Sequence, residues 1–368
     1  MVTLAGRAGR AGRAGRAGRA GRAGRAGRSG EDLFDDIGGS SADALLTTRE
    51  GELPVWNGEA DPALKPRIEL DPFRQLDQLA KIPREVVIDT RLFPLFQAVD
   101  GNVQTPLKTN VAPPLVKLTP PDPVVDFWRK AELRHVRDAA DLRNDRLNEI
   151  TYQIDDITSF FAAALRLDAD RSEWTLEWLE AVVRLCGYVE FPLKFTHNIP
   201  RPADYSSRVY PVVETPKHGT WPSGHATEAF AIATVLSGLV FEITNPGNAP
   251  FRVKDAIAGS TTVANLLFRI ATRIADNRTI GGLHFPTDSY AGAFCGIGIG
   301  EALVNHMRKA RCTTVIDYAP VEATSQDFSL AHLQAAIPAT TENLNQADPD
   351  DLLLAMWKAV IAELPRQA

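Results

Sequence analysis

Three stretches of this 368-residue sequence bring together cations, histidines and helix-opening residues of the kind that hold an oxyanion. In the first, Lys194-Phe-Thr-His-Asn-Ile-Pro-Arg201-Pro202, two cations lie seven positions apart across a proline break. Arg supplies a planar fork of donors and Lys a compact point charge, so the pair suits a tetrahedral anion. Taken alone, it fits a solvated surface equally well. In the second, Trp221-Pro222-Ser223-Gly224-His225-Ala226-Thr227 opens an apolar run. Ser223 is a good N-cap, and Gly224 lets an anion approach the backbone. The free N–H groups and the dipole of a helix start favour negative charge there. His225 would sit at that anion, able to donate or accept a proton. The plain alternative is a capped helix with an incidental histidine, but capping alone does not require Gly-His. In the third, Asn277-Arg278-Thr-Ile-Gly-Gly-Leu-His284-Phe-Pro-Thr-Asp288, Pro286 suits the first turn of a helix. Asp288, four positions after His284, can then reach the far nitrogen of the imidazole, fix its tautomer and raise the basicity of the other nitrogen. The alternative is a first-turn aspartate serving the helix dipole beside a packed histidine.

The elements that must position these residues are mainly helical. Apolar residues at spacings of three and four predict helices over 124–143, 146–166 and 172–196. Ser172 is a good N-cap for the last of these, and Pro200 and Pro202 are expected to stop it. Further helices fit 223–244, 252–276, 286–310 and 349–363, with a short one over 327–336. Strand signals are scarce after residue 123. The fold class is therefore all-α, a bundle of antiparallel helices spanning residues 123–368. Residues 31–122 are rich in Pro, Asp, Gly and Leu without sustained periodicity. They are read as an irregular N-terminal arm wrapping the bundle, with short strands or turns around 66–70 and 85–95. The proline cluster 113–123 closes that arm.

Composition narrows the function classes. The formal charge is −6, with 44% hydrophobic and 23% charged residues. Residues 5–28 repeat Ala-Gly-Arg eight times, so the remainder holds 32 basic against 46 acidic residues. An acidic body argues against nucleic-acid binding by the core and makes a local cluster of cations more telling. The basic repeat reads as a disordered tail over residues 1–30. Cys186, Cys295 and Cys312 lie in or beside apolar helical patterns and read as buried thiols. No secretory signal or run of about 18 apolar residues stands out, so the expectation is a soluble, cytoplasmic protein without a membrane span. Tyr205, Tyr210, Trp221 and Phe285 are the aromatic residues that could line a pocket mouth, although packing is their commoner role.

Together the three stretches resemble the superfamily of type 2 phosphatidic acid phosphatases, class A acid phosphatases and vanadium haloperoxidases. Its pattern is Lys-x6-Arg-Pro, then Pro-Ser-Gly-His, then Ser-Arg-x5-His-x3-Asp. The sequence matches in order at Lys194, Arg201 and Pro202, at Pro222, Ser223, Gly224 and His225, and at Arg278, His284 and Asp288. It departs once, with Asn277 where the pattern has Ser. The resemblance covers about residues 125–305. It implies an all-α bundle in which Lys194, Arg201 and Arg278 neutralise the oxygens of phosphate or vanadate. Ser223 and the Gly224 N–H would be further donors. In a phosphatase of this kind His284 attacks phosphorus, Asp288 orients it and His225 protonates the leaving alcohol. In a haloperoxidase His284 binds vanadium, as vanadate, and His225 serves the acid–base steps.

His218, seven positions before His225, resembles the second histidine of algal bromoperoxidases, although an exposed loop histidine is the plain alternative. This position, the long stretch before the bundle and the lack of export signals favour a haloperoxidase that oxidises bromide or iodide with hydrogen peroxide, with vanadate as cofactor. A phosphomonoesterase acting on a phosphate ester, without a cofactor, is the second expectation. A non-catalytic oxyanion-binding scaffold is the third. The resemblance also leaves room for a homodimer.

Overall fold

The computed structural model describes residues 70–109, 113–259, 262–344 and 348–364. The Ala-Gly-Arg tract, residues 31–69 and all but one residue of the strand expected at 66–70 lie outside the described residues. The stretch from residue 70 opens with helices. Asp71 accepts from the N–H groups of Phe73 and Arg74 and caps α1 (Pro72–Gln78). The next helix, α2 (Lys81–Leu92), buries Glu85, Ile88 and Leu92. Strands or turns were expected at 85–95, because Val86, Val87 and Ile88 are β-branched. Burial at helical spacing overrides that local preference. Three short strands follow, β1 (Gln97–Val99), β2 (Asn102–Gln104) and β3 (Val116–Leu118).

The helical body differs from the expected boundaries where caps intervene. A wide π-type turn, Phe127–Glu132, runs into α3 (Leu133–Ala139). The helix expected over 146–166 is two, α4 (Arg143–Tyr152) and α5 (Thr158–Leu165). Asp156 separates them by accepting from the Ser159 N–H at 3.0 Å. The long α6 (Glu173–His197) follows Ser172 without a side-chain capping bond. It passes through Pro192 and ends when Asn198 turns left-handed (φ 46°), ahead of Pro200. A single turn, α7 (Pro202–Tyr205), leads through a loop to α8 (Gly224–Thr244). The helix expected over 252–276 is also two. The chain breaks at Gly259 between α9 (Val253–Ala258) and α10 (Val263–Ile280), and α10 starts on a Thr262 cap. Then come α11 (Pro286–Met307), β4 (Cys312–Thr314), β5 (Ile316–Tyr318), α12 (Leu330–Ala336), β6 (Thr341–Asn343) and α13 (Asp351–Glu363).

The core is the pair α8 and α11, flanked by α6 and α10. Nearly every residue of α11 is buried, so its sequence shows no polar face. The two helices touch backbone to backbone. A Cβ on Gly296 would lie 2.3 Å from the Thr227 carbonyl, and one on Gly292 2.4 Å from that of Ser223. By length and composition α8 could cross a membrane, but here it lies mostly inside the fold. The strands form a four-stranded sheet in the order β1-β2-β3-β5, in which β3 and β5 run parallel, and a β4-β6 pair. Helix dominates, as the all-α expectation requires. Cys186 and Cys295 are buried as expected. Cys312 is only half-buried, because it opens a strand rather than flanking a helix.

Candidate functional site

The helix starts of α8 and α11 and the helix ends of α6 and α10 meet around one cavity of about 950 Å³. Lys194, Arg201, His218, Gly224, His225, Arg278 and His284 all line it. Ser223 and Asp288, both fully buried, lie just behind that wall. The structure therefore brings the expected residues to one place. Arg278 reaches it from the last turn of α10, since the helix runs four residues further than its apolar pattern.

His284 is the most constrained member. Its Nδ1 lies 3.2 Å from Asp288 Oδ2 and 2.8 Å from the hydroxyl of Thr220. The Thr220 hydroxyl also lies 2.6 Å from Asp288 Oδ2, and that oxygen accepts from the Phe285 N–H at 2.8 Å. Its other nitrogen, Nε2, faces Arg201 Nη1 at 3.5 Å. Burial pushes the imidazole pKa well down, and Arg201 and Lys194 add to this. Burial pushes the Asp288 carboxyl up to about 7. The contact is thus a hydrogen bond from a neutral ring rather than an ion pair, until an anion in the cavity offsets the cations.

Each cation is held by carbonyls that leave its charge facing the cavity. Lys194 donates to the carbonyls of Pro222 and Thr220. Burial lowers its pKa to about 8. Arg201 donates to the Leu283 carbonyl at 2.9 Å and to that of His218 at 3.3 Å. Arg278 donates through Nη2 to Gln153 Oε1 at 2.8 Å, while its Nε and Nη1 have no partner among the described residues. Asn277, where the pattern has Ser, donates to Glu149 and to Gln153 Oε1, each at 3.1 Å. Its amide thereby ties α4 and the following turn to Arg278. Gln153 also accepts, through its backbone carbonyl, from His225 Nε2 at 2.9 Å. His225 therefore carries its proton on Nε2 and presents Nδ1 as an acceptor. Burial and Arg278 push its pKa well down.

Ser223 opens α8 but does not cap it through its side chain, contrary to the capping expectation; its hydroxyl is buried without a partner. His218 Nε2 is likewise buried and unpartnered, and its ring sits edge-on to Phe191 at 5.4 Å. Free donors on Arg278 and Ser223, the opening N–H groups of α8 and three buried cations form a cradle whose chemistry suits a tetrahedral oxyanion.

A family model described as the PAP2 superfamily matches residues 177–312, a stretch that contains every one of these cradle residues. Over that stretch the chain is similar to the PAP2 superfamily, and the match supports its membership. No curated protein matches the chain.

Other features of this site are not evident from sequence. Thr220 and Gln153 carry no signal in the sequence, since a loop hydroxyl and a turn amide have no periodic signature. Glu190, on α6 one turn before Lys194, also lines the cavity. A Cβ on Gly224 would lie 2.7 Å from its Oε1, so any larger residue there requires the Glu190 carboxyl to shift. Among the described residues, neither its carboxyl oxygens nor those of buried Glu228 have a hydrogen-bond partner, and burial pushes both pKa values up, Glu190 to about 7. The expected mouth aromatics lie elsewhere. Trp221 and Phe285 are buried against Trp128, Tyr205 packs on Phe285 and donates to the Pro123 carbonyl, and Tyr210 is exposed. Phe191, Phe195, Ile154 and Val213 form the apolar part of the wall instead.

Proposed function

We propose that this protein is a vanadium-dependent haloperoxidase that oxidises bromide or iodide with hydrogen peroxide. The observation that carries this reading is His218. It sits in the cavity wall beside Arg201, its Nδ1 3.5 Å from Arg201 Nη2, with Nε2 free. Burial lowers its pKa to about 4, so it is a neutral ring beside cations, suited to exchanging hydrogen bonds with a small polar reactant.

The residues fit vanadate. Three buried cations match its charge, and Arg278 Nη1, Arg278 Nε and Ser223 Oγ are donors lacking partners. His284, through Nε2, would be the vanadium ligand. Bound vanadate would supply Lewis-acid activation of hydrogen peroxide. Around it, Lys194, Arg201 and Arg278 would hold the oxygens, with Ser223 and the Gly224 N–H as further donors. His225, whose Nδ1 is an acceptor, would take a proton from the incoming peroxide.

A second reading, a phosphomonoesterase, is favoured by the same His284 geometry. A neutral ring whose Nδ1–H is held by Thr220 and Asp288 leaves the Nε2 lone pair free to attack phosphorus. The ester P–O bond would break as the P–N bond forms, and the departing alkoxide would take a proton from His225. That proton must first load onto Nδ1, which the charge of a bound dianion favours.

One experiment separates the readings. The purified protein is assayed for bromide oxidation with vanadate and peroxide, and separately for hydrolysis of a simple phosphomonoester without vanadate. Halide oxidation without ester hydrolysis is the expected result. The reverse result overturns the haloperoxidase reading in favour of the esterase, and neither activity supports an oxyanion-binding scaffold.

A further inference from the structure

Thr220 lies outside the residues that the sequence pattern singles out, yet it touches both His284 and Asp288. Its backbone is fixed from two sides. Its N–H donates to the Ile199 carbonyl at 2.8 Å, and its own carbonyl accepts from Lys194. Its side chain is fully buried. The hydroxyl lies 2.8 Å from His284 Nδ1 and 2.6 Å from Asp288 Oδ2, both shorter than the direct 3.2 Å between ring and carboxylate. The two shorter hydrogen bonds between Asp288 and the ring thus run through Thr220.

A hydroxyl has one proton to give and lone pairs to receive. Asp288 Oδ2 already accepts from the Phe285 N–H, so this oxygen is an acceptor. The Thr220 proton then points to Asp288, and the Thr220 oxygen accepts from His284 Nδ1–H. This order places the ring proton on Nδ1 and the lone pair on Nε2, toward Arg201 and the cavity. The opposite order, from a protonated Asp288 through Thr220 to His284, would put the ring proton on Nε2 and block that atom.

We propose that Thr220 is a positioning residue. Its hydroxyl relays the orientation of Asp288 to His284 and fixes the Nδ1–H tautomer, so that Nε2 is presented as an electron-pair donor. For its effect on turnover this rests on the proposed function; for the tautomer it does not.

The test compares the full chain with Thr220→Val, which keeps the shape and removes the hydroxyl, and Thr220→Ser, which keeps the hydroxyl. The first readout is the pair of 15N shifts of the His284 ring in the free protein. Nδ1–H is expected in the wild type and in Thr220→Ser, and a mixture of tautomers in Thr220→Val. The second is orthovanadate affinity by 51V NMR. It should fall about 10–100-fold in Thr220→Val, as for other groups that orient a ligating histidine, and stay close to wild type in Thr220→Ser. A wild-type His284 protonated on Nε2 overturns the proposal, even if Thr220→Val fails to fold. So does a Thr220→Val protein with unchanged tautomer and affinity, or a Thr220→Ser protein as impaired as Thr220→Val. If the wild type binds no vanadate and hydrolyses no ester, the functional reading fails. The 15N shifts then decide the proposal about Thr220 by themselves.

Discussion

Replacing Glu190 with Gln should make the protein more stable at alkaline pH while leaving its stability at pH 5 nearly unchanged. The carboxyl is buried without a hydrogen bond, against Gly224 and one helical turn from Lys194. Lys194 gives its own hydrogen bonds to carbonyls, and no ion pair joins the two. Desolvation therefore outweighs their attraction. It raises Glu190 from 4.5 to about 7 and lowers Lys194 to about 8. Between pH 4.5 and 7 the folded chain holds a proton that the unfolded chain has lost. Stability contributed by this group is thus full below the unfolded pKa, falls across that window and stays low above it. At roughly 1.4 kcal/mol for each pKa unit, the loss is about 3 kcal/mol. Gln has no proton to lose. Lys194 surrenders its nearby carboxylate in the exchange, so the net gain at pH 8 is smaller, about 1–2 kcal/mol. For a chain of this size that corresponds to a few degrees in melting temperature. Thermal melts followed by circular dichroism at pH 5 and pH 8 measure it. A variant that loses as much stability between the two pH values as the wild type, or that melts below it at pH 8, refutes the reasoning.

Other consequences are as direct. His284→Ala should abolish vanadate binding measured by 51V NMR and any ester hydrolysis; retention of either removes His284 from its assigned place. His218→Ala should change halide turnover several-fold while vanadate affinity stays within the same range, since His218 touches Arg201 but is not a cradle donor. An unchanged halide rate would take away the observation on which the haloperoxidase reading rests. Gly296→Ala should lower stability by about 1–3 kcal/mol or more, because the added methyl meets the Thr227 carbonyl and the Ala231 N–H rather than a movable side chain. Denaturant unfolding checks this, and a neutral result would mean the two helices can move apart freely.

The cradle was legible in the sequence because its members occupy helix ends, which announce themselves through Pro, Ser, Gly and charge. Lys194, Arg201, Gly224, His225, Arg278 and His284 all line the cavity for that reason. The residues that support them were not legible. Gln153 sits in the turn that breaks the helix expected over 146–166, and Thr220 sits in a loop held by long-range backbone bonds. Neither position has a periodicity or a partner nearby in sequence. The helix α2 was hidden by β-branched residues, whose preference yields once Ile88 and Leu92 are buried against the body. Glu190 read as an ordinary member of a long helix. Only the packing of α6 on the start of α8 reveals it as a buried acid inside the proposed anion site.

The close seam between α8 and α11 divides the site into a fixed half and an adjustable half. Ser223, Gly224 and His225 open one helix, Asp288 lies in the first turn of the other, and Gly292 and Gly296 lock the two backbones together just beyond. The part of the proposed oxyanion grip that these helix starts supply is thus set by main chain, while Lys194, Arg201 and Arg278 reach in as side chains. Phe191, Phe195 and Val213 belong to α6 and the loop before α8, outside that seam. Under the proposed function, reshaping them should redirect which organic or inorganic partner reaches the oxyanion while the helix starts that hold it keep their geometry. For engineering, the molecule offers a reagent holder and a separate, replaceable vestibule.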